Sequence, residues 1–126
     1  MKNKFQIEYS LNVSPKILFT RLSTPSGLAE WFADDINVRE NTFTFIWSGT
    51  QQEAQMLQKK KNQYIRFKWT NDDDTESFFE FRIHQDELTG DVALIITDFA
   101  EDGEKEDAKE LWDTQITDLK NALGAN

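Results

Sequence analysis

Apolar and polar positions alternate with a period of two near the start of the chain. Phe5, Ile7, Tyr9 and Leu11 are separated by Gln6, Glu8 and Ser10, the pattern of a strand with one buried face. Ser14-Pro15 then marks a helix start: the serine can cap free backbone N–H groups, and proline at the first helical position sacrifices no hydrogen bond. Ile17, Leu18, Phe19 and Leu22 are the expected buried side of that helix. Thr24-Pro25 repeats the signal and predicts a second short helix through Leu28, Trp31 and Phe32. From Ala33 the period returns to two. A weak strand through Ile36 and Val38 ends at a Glu40-Asn41 turn, and Phe43, Phe45 and Trp47 alternate with Thr44, Ile46 and Ser48 before a turn at Ser48-Gly49. Residues 52–60 make a strand of low apolar content, carried by Ala54, Met56 and Leu57. Residues 64–70 put Ile65, Phe67 and Trp69 on one face, and Asn71 to Asp74 form a turn. Phe79, Phe81 and Ile83 then alternate with Glu80, Arg82 and His84 up to a hairpin at Thr89-Gly90. Residues 92–99 are the most continuously apolar run, which predicts an internal strand.

The period changes once more at the end. Over residues 107–123, Ala108, Leu111, Trp112, Ile116, Leu119 and Leu123 recur at spacings of three and four, so they share one side of a long amphipathic helix. Asp107, Lys109, Glu110, Asp113, Asp118 and Lys120 cover much of the rest, and the acidic stretch from Glu101 suits a helix N-terminus. Such a helix must bury its stripe against the strands encoded before it. Successive strands with short turns imply an antiparallel sheet, and the order is one strand, two short helices, six strands and a long helix. The class is therefore α+β, a curved antiparallel sheet wrapped around a terminal helix, able to close a container.

Composition narrows the function. The 126 residues suffice for a single domain spanning 1–126 with its own core. No cysteine is present, so disulfides, cysteine-based zinc sites and thiol catalysis are excluded. No apolar signal-peptide core follows Met1 and no stretch is apolar enough to span a bilayer, so a cytoplasmic location without membrane insertion is expected. Fourteen Lys plus Arg against 23 Asp plus Glu give a net charge of −9, which opposes nucleic acid as a partner. The one basic run, Lys59-Lys60-Lys61, belongs at a hairpin tip. Ten Phe, four Trp and two Tyr supply large rigid apolar area, useful equally for a core or a cavity wall.

Four landmarks, taken in order, resemble a known family. They are Ser14-Pro15-Lys16 leading to Phe19, Leu28 with Trp31-Phe32, the strand end Arg66-Phe67-Lys68-Trp69, and the terminal helix from Trp112 to Leu123. Together they resemble the START-like (SRPBCC, helix-grip) superfamily, and within it the homologues of the heat-shock-protein ATPase activator. The resemblance implies a sheet gripping the C-terminal helix, often with a hydrophobic cavity between them. It also implies three functional possibilities: a carrier of lipid-like or polyketide-like molecules, a co-chaperone domain, or a cyclase. Fold alone does not choose among these.

The candidate binding set is Trp31, Phe45, Trp47, Phe67, Trp69, Phe79, Phe81, Ile96, Trp112 and Ile116. These residues either line an apolar pocket, with indole N–H groups as polar handles for a ligand, or simply fill the core. His84, the only histidine, falls on the polar parity of its strand and is not a catalytic candidate. Read as calcium loops, Asp72 to Asp74 lead to Ser77 and Ile83 at the sixth and twelfth positions, and a frame from Asp98 has Ala100 at the third and Lys109 at the twelfth; both fail. Asp34-Asp35 sit at the expected mouth, where a carboxylate can orient a ligand or simply meet solvent. Arg66 and Arg82 are placed to pair with Glu80 or Glu76 across strands. No phosphate loop, nucleophile elbow or histidine metal motif occurs, so no catalytic residue, metal or cofactor is assigned. The expected function is non-enzymatic binding of a small hydrophobic molecule between sheet and C-terminal helix; the alternative is a protein-interaction module with a filled core. Oligomeric state stays open, although Asp34, Asp35, Arg39 and Glu40 guard the edge strand around Ile36.

Overall fold

A computed structural model describes residues 2–124. The strands are β1 (Lys2–Leu11), β2 (Asp35–Arg39), β3 (Thr42–Trp47), β4 (Thr50–Lys60), β5 (Tyr64–Trp69), β6 (Phe79–Gln85) and β7 (Val92–Glu101). The helices are α1 (Pro15–Ser23), α2 (Pro25–Leu28) and α3 (Lys105–Leu123). All seven strands join one curved sheet in the order β1-β7-β6-β5-β4-β3-β2, and every pairing is antiparallel. Short turns join β2 to β3, β3 to β4 and β4 to β5, and loops of residues 70–78 and 86–91 lead on to β6 and β7. Glu40 and Asn62 take left-handed backbone angles, and Gly49 does so at φ +75°, where a side chain would be strained.

The helices follow from where β1 sits. It pairs with β7 along its whole length, from Lys2 opposite Glu101 to Leu11 opposite Val92, which places it at the sheet edge opposite β2. The chain must therefore cross the concave face to reach β2, and α1 and α2 make that crossing over β5, β6 and β2. Ser14 caps α1 by accepting from Ile17 N–H at 3.2 Å, and Thr24 caps α2 by accepting from Gly27 N–H at 3.0 Å. The helices meet closely: a Cβ on Gly27 would lie 2.2 Å from the Thr20 carbonyl oxygen. Along the other part of the face, α3 lies over β7 and β1. The Tyr9 hydroxyl donates to Asp113 Oδ1 at 2.6 Å and fastens this helix to β1; burial and the adjoining carboxylate push the phenol well above its usual range.

Several positions differ from the sequence-based expectation. The second helix is a single turn ending at Leu28, and Trp31 and Phe32 follow it in a turn closed by Phe32 N–H on the Leu28 carbonyl at 2.8 Å. The chain must unwind there because Asp34 N–H already bonds Ile46 in β3 at 2.9 Å. Ile17 is 52% exposed: Leu18, Phe19 and Leu22 define the buried arc of α1, and Ile17 lies almost opposite it at 3.6 residues per turn. Leu111 is 61% exposed because Trp112, Ile116 and Leu119 centre the α3 stripe and leave Leu111 at its margin. Leu57 is exposed as well, at a β-bulge where the β4–β5 register shifts between Met56 and Gln58.

Candidate functional site

Strand parity aims one set of rings at the concave face: Phe43, Phe45 and Trp47 from β3, Phe67 and Trp69 from β5, and Phe79 and Phe81 from β6. The innermost rings touch one another. Phe67 stacks on Phe79 at 5.0 Å between centroids, Phe45 meets Phe67 edge-on at 6.0 Å, and Phe79 meets Phe81 at 5.8 Å. Phe45, Phe67, Phe79, Phe81, Ile96 and Ile116 are all at most 1% exposed. Phe32, which the sequence pattern assigned to a helix and not to the site, plugs the centre. Its ring lies 5.0 Å from Phe45, 5.7 Å from Trp47, 5.9 Å from Phe81 and 5.9 Å from Trp112.

Open space lies at the rim. A groove of about 470 Å³ runs between α3 and the ends of β3 and β5, lined by Phe32, Trp47, Thr50, Gln52, Trp69, Asp98, Ala108, Leu111, Trp112 and Gln115. A second hollow of about 640 Å³ lies on the other side of Gln115, bordered by residues 29–34 of the α2–β2 turn, Trp47 and the later turns of α3. Gln115 divides the two by donating to the Phe32 carbonyl at 3.4 Å, and Leu111 borders both. Of the ten residues nominated from sequence, Trp47, Trp69 and Trp112 line the groove and Trp31 lines the hollow. The other six pack into the interior.

The indole N–H groups are committed elsewhere. Trp47 Nε1 donates to the Phe32 carbonyl at 2.8 Å, Trp31 Nε1 to the Arg21 carbonyl at 2.8 Å, and Trp112 Nε1 to Asp98 Oδ2 at 2.9 Å. This corrects the expectation that those three offer their N–H groups to a ligand: buried donors took the nearest protein acceptors. The rings of Trp47 and Trp112, fixed in orientation by these bonds, border the groove, and that of Trp31 borders the hollow. Trp69 Nε1 has no acceptor among the described residues.

Asp98 is the residue that sequence reasoning passed over. It shares the concave parity of β7 with Leu94, Ile96 and Ala100, and it interrupts an otherwise apolar series there, which was its only signal. Its carboxylate accepts from Trp112 Nε1 and, through Oδ1, from Phe99 N–H at 2.8 Å. Burial pushes its pKa above the usual aspartate range despite these bonds and the charge of Lys2.

Other candidates have structural work. Asp34 Oδ2 accepts from Ser48 N–H and Asp35 Oδ1 from Ile36 N–H, each at 2.9 Å, so the pair shapes the β2–β3 edge, with Asp34 also bordering the hollow. Asp72 accepts from Lys2 Nζ at 3.0 Å and from the Ser77 hydroxyl, and so ties the β5–β6 loop to β1. His84 is exposed on β6.

The family model described as START-like superfamily domain matches residues 1–125. A Bacteroides fragilis protein solved by NMR is 42% identical over 97% of this chain and 91% of its own, with a TM-score of 0.69. The Aha1 dimer from Colwellia psychrerythraea shares 18% identity over 96% of each chain at a TM-score of 0.81. DynU16, from the dynemicin biosynthetic locus, shares 12% identity over 96% of this chain and 47% of its own, also at 0.81. At those identities the last two show the fold alone. No curated protein matches the chain.

Proposed function

The chain belongs to the START-like superfamily, whose members commonly bind hydrophobic ligands, and on that premise we propose that it binds a small apolar molecule, without catalysis, in the groove beside α3. The observation that carries this reading is the groove itself: about 470 Å³, bordered by Trp47, Trp69, Trp112 and the exposed Leu111. That volume falls within the roughly 300–1,000 Å³ usual for small-molecule sites. Trp47 and Trp112 are held by their N–H bonds, so little side-chain freedom remains to be lost on binding. Covering roughly 200 Å² of apolar ligand surface at about 25 cal/mol per Å² is worth roughly 5 kcal/mol before the cost of association. A rim groove suits a flat or short ligand better than one enclosed within the domain, because the inner rings already contact one another. In this reading Phe45, Phe67, Phe79, Phe81, Ile96 and Ile116 support the groove from behind. A cytoplasmic setting is part of the same proposal; among the described residues no helix is long and apolar enough to cross a membrane.

The test uses Leu111, whose exposure means that a polar replacement leaves the core intact. Titration with the neutral dye Nile red should give saturable quenching of tryptophan emission, and Leu111→Ser should weaken it about tenfold with little change in Tm. Unsaturable quenching, or equal affinity in the variant, would overturn the reading. The closely packed inner rings favour a second one, a protein-interaction module whose groove receives an apolar side chain of a partner. Saturable uptake of the dye with loss in Leu111→Ser counts for the first reading over the second only if native mass spectrometry of the purified protein also finds a small-molecule adduct.

A further inference from the structure

We infer that the ligand of this groove carries a cationic nitrogen, a primary or quaternary ammonium on an apolar body, seated among Trp47, Trp69 and Trp112 with its charge toward Asp98. The inference rests on the groove being the binding site proposed above. Three observations carry it. First, the groove lining holds one charged side chain among the described residues, Asp98, and no lysine or arginine. An apolar carboxylate or phosphate entering there would meet a partly buried carboxylate and no counter-ion, under the field of a chain with net charge −9. Second, no protein cation forms an ion pair with Asp98 among the described residues. Lys2, whose charge reaches it, bonds Asp72 at 3.0 Å instead and lies outside the groove lining. Burial already pushes this carboxyl up, and an ammonium brought by the ligand would supply the missing charge. Third, three indoles share the lining, and indole π faces attract ammonium groups through the ring quadrupole while discriminating poorly among neutral apolar bodies.

The arrangement also orders the contacts. Trp112 donates to Asp98 Oδ2 and Phe99 N–H donates to Oδ1, so the carboxylate is fixed in place while each oxygen keeps a lone pair for a ligand donor. Thr50, Gln52 and Gln115 are the polar neutral residues of the lining and can take a hydroxyl or carbonyl elsewhere on the ligand.

The experiment compares three probes with the same apolar body: 1-naphthylmethylammonium, 1-naphthalenemethanol and 1-naphthoate. Each is titrated by calorimetry and followed by NMR at the indole N–H signals. The expected order is cation, then alcohol, then anion, with the cation at least tenfold tighter than the alcohol. In Asp98→Asn, which keeps an acceptor for Trp112 Nε1, the cation should lose that advantage over the alcohol. Trp69→Leu should also narrow the gap, and it provides a second variant should the first be unstable. If alcohol and cation bind equally in the unmodified protein, or if naphthoate binds best, the cationic assignment falls while the groove remains a binding site. If none of the three shifts the Trp47, Trp69 or Trp112 signals, the groove reading itself falls and takes this inference with it.

Discussion

Glu80 and Asp98 each bring a carboxyl into a largely apolar sheet, and their neighbours give them opposite signs. Burial alone would raise the Glu80 pKa, but hydrogen bonds from Arg82 and Arg66, at 3.1 and 2.8 Å, hold it below the ordinary value of 4.5. Each guanidinium also lies over a ring, Arg66 over Phe78 at 4.0 Å and Arg82 over Tyr64 at 4.3 Å. A lowered carboxylate pKa stabilises the fold above the unfolded value, and that contribution is lost as pH falls through the folded value. Glu80→Gln should cost about 1.5–3 kcal/mol at pH 7, the range for hydrogen bonds to charged groups, and no more because both arginines keep access to water. Urea unfolding from pH 7 to pH 2 should show the gap to the unmodified protein closing below 4.5; a constant gap would contradict the clamp. Asp72, lowered to about 2 by Ser77, Asp74 N–H and Lys2 against its burial, adds to the acid sensitivity below 3.8. For Asp98 the sign reverses: burial raises its pKa, so stability falls as pH climbs from 3.8 through the folded value. The Glu80 pairing was legible in strand alternation because both arginines are near neighbours on the same face. The place of Asp98 against Trp112 was not, since α3 brings that partner from fourteen residues away.

Among the elements, the caps and turns were the most legible part of the fold, because each depends on a few adjacent residues. Ser14-Pro15 and Thr24-Pro25 start helices where the pattern placed them, and Glu40-Asn41 and Ser48-Gly49 turn between strands. What local pattern did not show was how far α2 continues, since the pull of β3 pairing on Asp34 ends it. The α1–α2 corner depends on a missing side chain: Gly27 has Thr20 O, Arg21 Cα and Thr24 Oγ1 all within 2.7 Å of where a Cβ would stand. Backbone atoms cannot yield as a flexible side chain would. Gly27→Ala should therefore destabilise by about 1–3 kcal/mol, the cost typical of overpacking, although alanine is the better helix former. Thermal melts compare the two directly, and an unchanged or raised Tm would show that the corner is looser than described.

For the whole molecule, Phe32 is the point at which the turn after α2, the sheet and α3 meet. It touches rings from β3, β6 and α3 at once. Phe32→Ala should cost about 3–5 kcal/mol, as for other buried aromatics, and should join the rim groove to the interior. A loss under about 1 kcal/mol by urea unfolding would mean that the surrounding rings collapse onto the vacancy. By itself the sequence determined the α+β class, the element order, the inward parity of nearly every ring and the absence of thiol chemistry. Those follow from periods of two and 3.6 and from composition, which are local quantities. Only the tertiary structure decided which rings fill the interior and which border open space. Six of the ten nominated residues lie within the core and four at its rim, although strand parity treats them alike. Parity says which way a side chain points, whereas the space in front of it depends on what α2 and α3 place there from distant parts of the chain.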